Sequence, residues 1–181
     1  VDAGDCAYRR EFEISPADTG LSLFMKCVNA GVELAITALD DIASGREPPR
    51  LPQDLSRRRV YLQRHAMDGR VDWSWSATQV RDFIRAADYR PFKSPTYTPE
   101  TTLGGRTIYI RQVEVGPPTS EAPGTVCATD TAGLLMAVGH SESVLIQELE
   151  VAPSEGDSKP RRLKAVKIPE FLSVPAGTVA Q

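Results

Sequence analysis

Only three of the 181 residues are cysteine, Cys6, Cys27 and Cys127, and no two of them stand at CxxC spacing. That excludes a disulfide framework and points to free thiols in a reducing cytoplasm. Histidine is scarcer still, with His65 and His140 far apart in sequence, and no metal site can be assembled around them. Asparagine occurs once, at Asn29. A basic excess is also missing. Residues 1–100 carry 14 Lys+Arg against 15 Asp+Glu, and residues 101–181 carry 7 against 9, so neither part shows the basic footprint expected of a nucleic-acid-binding module. Apolar runs are interrupted before the ~20 residues that span a bilayer, and there is no signal-peptide layout, so no membrane segment is expected. Gly104-Gly105 lacks the Lys-Ser/Thr or helix that would make it a phosphate loop.

What is present is ordinary for one globular domain or a pair of small ones: 41% hydrophobic and 25% charged residues. The first stretch, V-D-A-G-D at 1–5, sets a carboxylate beside a glycine turn. It opens on a predicted strand, Cys6–Ile14, with Tyr8, Phe12 and Ile14 available for one face. Because the sequence starts in mid-motif, without an initiator Met, the chain is expected to be the C-terminal part of a longer polypeptide. Helical spacing runs from Leu21 to Ile42, with Asp18 as the expected N-cap, Gly45 as the C-terminal cap and Gly31 as a candidate break between two helices. So wide an apolar stripe is expected to cover a sheet.

The prolines of Arg46–Pro52 make a connector. Arg57-Arg58-Arg59 reads as a solvated face in preference to a phosphate contact. Val71-Asp72-Trp73-Ser74 precedes a predicted helix over Ala77–Ala87, capped by Ser74 or Ser76. Trp73 and Trp75 are read as packing anchors in preference to an aromatic substrate wall. Strands are predicted at Arg106–Val115, Thr125–Thr129, Leu134–Val138 and Val144–Val151, which suggests a small barrel. Lys159–Lys167 is expected to be a basic loop, Ile168–Leu172 a helical turn and Pro175–Gln181 a frayed tail. His140, within Gly-His-Ser-Glu, is read as a surface turn between strands and not as a triad member.

Taken in order, D-A-G-D (2–5), D-T-G-L-S-L-F (18–24), Asp72-Trp73 and Pro123-Gly124-Thr125-Val126 resemble the 10-formyltetrahydrofolate-dependent formyltransferases, the methionyl-tRNA formyltransferase family. The resemblance implies an α/β fold: the C-terminal part of a Rossmann-like catalytic domain with its linker over 1–100, then an OB-like β-barrel domain over 101–181. It implies Asp2 as the catalytic acid/base, Val1 and Asp2 at the donor site, 10-formyltetrahydrofolate as donor, no metal and a cytoplasmic enzyme. Asp5 is expected only to cap the turn. Val71-Asp72-Trp73 and Ile84-Arg85-Ala86 match the family's I-D-W and I-R-A, whereas Phe92-Lys93-Ser94-Pro95 replaces its small Gly-Ala step. The family's upstream Asn-x-His pair has no counterpart in these residues, so the chain alone is expected to be inactive. On charge, a small amine (an amino acid derivative or amino sugar) is the preferred acceptor and methionyl-tRNA the alternative, with no membrane partner. A non-catalytic binding module is the rival reading from another class.

Overall fold

The computed structural model describes residues 4–153, 159–172 and 174–181. The chain divides into two compact units, Val1–Leu62 and Gln63–Gln181.

The first unit is built on one helix, α1 (Gly20–Ala43). Thr19, not Asp18, is its N-cap: Thr19 Oγ1 accepts from the Ser22 amide (3.2 Å) and Ser22 Oγ accepts from the Thr19 amide (2.9 Å), a reciprocal capping box. Asp18 holds the turn from outside, accepting from Ser15 N (2.7 Å), Ser22 Oγ (2.8 Å) and Lys26 Nζ (2.6 Å). The helix runs unbroken through Gly31. Segment 4–18 lies along its polar side, where Tyr8 Oη donates to Asp41 Oδ2 (2.7 Å) and Arg10 pairs with Glu33.

The predicted strand at Cys6–Ile14 does not form. Only Cys6 finds a partner, Leu51, through two 2.9 Å backbone hydrogen bonds. Among the described residues of this unit there is no strand, so the expected Rossmann-like layer is not in this chain. Without a sheet, the α1 stripe stays uncovered: Phe24, Val28, Val32, Ile36 and Leu39 are exposed, and no helix residue is buried. By length and composition alone α1 could cross a membrane, contrary to the sequence expectation. Its polar side, however, is engaged by Tyr8, Arg10 and Arg46.

The second unit is a curled antiparallel sheet with one helix packed on it, consistent with the barrel expected from the strand spacing. Its strands are β1 (Glu100–Leu103), β2 (Arg106–Val115), β3 (Val126–Asp130), β4 (Gly133–Val138), β5 (Glu142–Val151) and β6 (Arg161–Lys164). They are ordered β1-β2-β5-β4-β3, with β6 continuing the β4 edge of β5. The basic segment expected to be a loop is thus partly a strand, because Leu163 alternates inward and is buried. The helix α2 (Ala77–Ala86) is capped by Ser76 and lays Ala77, Val80 and Ile84 on the sheet, over Ile108, Ile110, Ile146 and Leu149. A last turn, α3 (Ile168–Leu172), seals the end of the core with Ile168.

The tail is not frayed. Val126 N donates to Thr178 O and Gly177 N to Val126 O on the β3 side. On the β1 side Thr102 N donates to Gln181 O and Gln181 N to Thr102 O, all at 2.8–2.9 Å. Thr178–Gln181 therefore joins the two free edges of the sheet. A sequence reading of Pro, Gly and small residues sees only a terminus, because the pairing is carried almost wholly by main-chain groups.

Candidate functional site

Asp2 and Val1, the expected catalytic and donor-site residues, lie outside the described residues. Gly4 and Asp5 are exposed, and Gln53 Nε2 donates to the Gly4 carbonyl (2.5 Å), tying the end of the V-D-A-G-D loop to the connector. Asp5, Ala7, Glu47, Pro48, Pro49 and Arg50 line an open recess of about 370 Å³ beside that loop. The Asp18 carboxyl is held down to about 2 by Lys26, the Ser15 amide and Ser22, so it stays charged and anchors the start of α1.

In the second unit the structure brings together two of the motifs picked out in sequence. Asp72 Oδ1 accepts from the Ser74 amide (2.9 Å) and from Ser74 Oγ (2.6 Å), forming the turn that carries Trp73 inward. Trp73 is 7% exposed, and its Nε1 donates to Thr101 Oγ1 (3.2 Å), which in turn reaches Gln181 O (3.3 Å). Gly124, at φ +85°, lies against the Trp73 ring, so the P-G-T-V and V-D-W motifs pack together. Trp73 is thus a packing anchor, as expected. The same turn docks on the β4–β5 connection: Gly139 N donates to Trp75 O (2.8 Å), and Glu142 Oε2 accepts from Ala77 N (2.7 Å) at the start of α2. His140 sits exposed in that connection at φ 62°, a turn residue.

The sequence reading missed a network of six charges. Glu148, on β5, is buried between Arg90 Nη1 (2.8 Å) and Arg162 of β6. Arg90 also clamps Asp88 (2.7 and 2.8 Å), and Arg111 reaches Glu150 (2.7 Å) from a bulge that leaves it unpaired between Ile110 and Gln112. Burial raises the Glu148 carboxyl, but Arg162 and Arg90 outweigh burial and hold it below the usual carboxylate range. Arg90 likewise depresses Asp88. The one signal in sequence was Glu148 and Glu150 interleaved with Ile146, Leu149 and Val151 in one strand, which requires cationic partners wherever such a carboxylate is buried. Its effect is to neutralise Arg90 and Arg162, so that the exposed basic side chains of this end, Lys164 and Lys167 among them, lie on β6 and the turn after it.

Elsewhere, Phe92 of the Phe-Lys-Ser-Pro replacement is 67% exposed, while Tyr97 stacks on Phe83 at 4.5 Å and is pushed up to about 12 by burial. Among the described residues no three His, Cys, Asp or Glu side chains gather as a metal site.

A loop and long helix, then a curled antiparallel sheet with a Trp-anchored helix, define a small β module preceded by a helical segment. The family "Formyl transferase, C-terminal domain" matches residues 65–156, just over half of the sequence, and the chain belongs to that formyltransferase family. It is similar to the methionyl-tRNA formyltransferase of Bacillus velezensis (strain DSM 23117 / BGSC 10A6 / LMG 26770 / FZB42), with 31% identity over 153 residues, 84% of this chain and 46% of the relative. The methionyl-tRNA formyltransferase of Bacillus subtilis (strain 168) is 26% identical over 180 residues, 99% of this chain and 53% of the relative. The chain thus spans about half the length of these curated relatives. Among solved structures, HypX from Aquifex aeolicus in complex with tetrahydrofolic acid shares the fold, with a TM-score of 0.61 at 18% identity over 93% of this chain and 28% of that one.

Proposed function

We propose that this chain is the C-terminal part of an N-formyltransferase that moves a formyl group from 10-formyltetrahydrofolate to the amine of methionyl-tRNA. The observation that carries the reading is the run of similarity to methionyl-tRNA formyltransferases along 84–99% of the chain, from the first loop through the barrel module. It supports the tRNA acceptor better than the small amine preferred on charge. The folate donor is supported by the tetrahydrofolate complex of a fold neighbour, and cytoplasmic placement goes with the same reading.

The chemistry requires the acceptor amine to attack the formyl carbon, an oxyanion to be stabilised there, and the departing folate nitrogen to gain a proton. Asp2 takes the proton lost by the amine, and Val1 flanks the donor. The remaining donors of hydrogen bonds come from the half of the relatives that lies beyond this chain. Exposed Lys164 and Lys167 supply phosphate contacts. A small-amine acceptor is the second reading, favoured by the excess of two acidic groups over residues 101–181.

The test is a titration of the full-length polypeptide with aminoacylated initiator tRNA at low and moderate salt. Micromolar or tighter binding with a steep salt dependence is expected. Weak, salt-insensitive binding, together with formylation of an amino sugar or amino acid derivative, would replace the tRNA by the small amine. In the same polypeptide Asp2→Asn should leave the fold intact and lower turnover by about 10²-fold or more. A near-normal rate would remove Asp2 from catalysis.

A further inference from the structure

The segment Thr178–Gln181 joins both edges of the sheet with little burial: Ala180, half-buried, is its one side chain packed against the core. Val179 is 59% exposed, and no described residue of 174–181 is buried. Its hold is almost wholly main chain: Thr178 O, Ala180 N and Gly177 N pair with Val126 N, Gly124 O and Val126 O, and Gln181 exchanges both bonds with Thr102. A segment with solvent-facing hydrogen bonds and little apolar burial opens at lower cost than the core around it. The groove it leaves is lined by the amides and carbonyls of Thr102 and Val126 and by the carbonyl of Gly124, an edge that pairs with an extended backbone.

The approach to the segment has a hinge. Thr178 N (3.3 Å) and Thr178 Oγ1 (2.9 Å) donate to Pro175 O across Ala176-Gly177, with Gly177 at φ +87° and no atom within 4 Å of a Cβ placed there. This turn folds the segment back onto its own sheet. If the turn straightens, the segment leaves the sheet while every strand from β1 to β6 keeps its partners. The occupant that matches the vacated groove hydrogen bond for hydrogen bond is the same segment of a second copy, and exchange of an identical element between copies is a low-cost route to association.

We propose that Thr178–Gln181 is a releasable strap seated in a strand-accepting groove between β1 and β3, and that the groove takes the strap of a second copy when the turn at 175–178 opens. The strap then acts as a guard, sealing in cis an edge that would otherwise recruit another chain.

Hydrogen exchange on the full chain tests release directly. The amides of Thr102, Val126, Ala180 and Gln181 should exchange as one group, at least about tenfold faster than those of Ile110 and Leu149. Exchange of that group as slow as that of the Ile110 and Leu149 amides would overturn a releasable strap. Deleting Ala176 and Gly177 tests exchange between copies, since the shortened link cannot turn back. In that variant Thr102 and Val126 should be unprotected when dilute and regain protection as concentration rises. Association through the exposed α1 face would leave these two amides fast at every concentration. That result would overturn the claim that the groove accepts a second copy.

Discussion

Gly139 shows how narrowly the second unit is specified at the scale of one residue. A Cβ at this position would stand 1.9 Å from the Ser74 carbonyl oxygen and 2.7 Å from its carbon, both backbone atoms of the docked Trp turn. Gly139→Ala should therefore lower stability by about 3 kcal/mol, measured by denaturant unfolding. An unchanged midpoint would mean that the turn does not dock there. Glu148 gives a pH signature. Its folded carboxyl lies below the unfolded value of about 4.3, so its contribution is present above that pH and is lost as pH falls toward the folded value. Glu148→Gln should cost about 1–3 kcal/mol at pH 7, discounted because Arg90 and Arg162 are 34% and 53% exposed. Thermal unfolding of both proteins from pH 7 to 3 should show the gap closing below about pH 4. A gap that widens with acid would reverse the assignment.

The elements were legible wherever a side-chain pattern carried them. Strand β2 follows from the alternation of Ile108, Ile110 and Val113, and α2 from Val80 and Ile84 with the Ser76 cap. Cys6–Ile14 has strand-like composition and no partner strand beside it, and a strand without a ladder does not persist. The strap and the Glu148 network were invisible for opposite reasons: one is written in backbone groups common to all residues, and the other in charges brought together from positions 88, 90, 148 and 162. Asp2 was reached only through family resemblance, since a single carboxylate beside a glycine turn has no pattern of its own. Helix α1 offers an element-scale test. Gly31 lies in its middle with open space around it, so Gly31→Ala should stabilise the helix by about 0.5–1 kcal/mol, seen as higher helicity by circular dichroism on warming. A loss of helicity would show that Gly31 serves a close approach.

Across the whole molecule, the apolar stripe of α1 and the half-length match to the curated relatives belong together. Phe24, Val28, Val32, Ile36 and Leu39 form one exposed face, wider than a soluble surface helix leaves uncovered. On the proposed function, chain 1–181 should bind a hydrophobic dye strongly, and a polypeptide that also carries the remaining half of these relatives should bind it weakly. Equal binding by both would leave the stripe unexplained by a missing domain. The central claim is the proposed function, that these residues act as part of a methionyl-tRNA formyltransferase of the length of these relatives. Its most direct measurement is transfer of labelled formyl from 10-formyltetrahydrofolate to methionyl-tRNA by the full-length polypeptide, run beside chain 1–181. The account predicts formylmethionyl-tRNA from the full-length polypeptide and none from chain 1–181; turnover by chain 1–181, or no transfer to any amine by the full-length polypeptide, would contradict it.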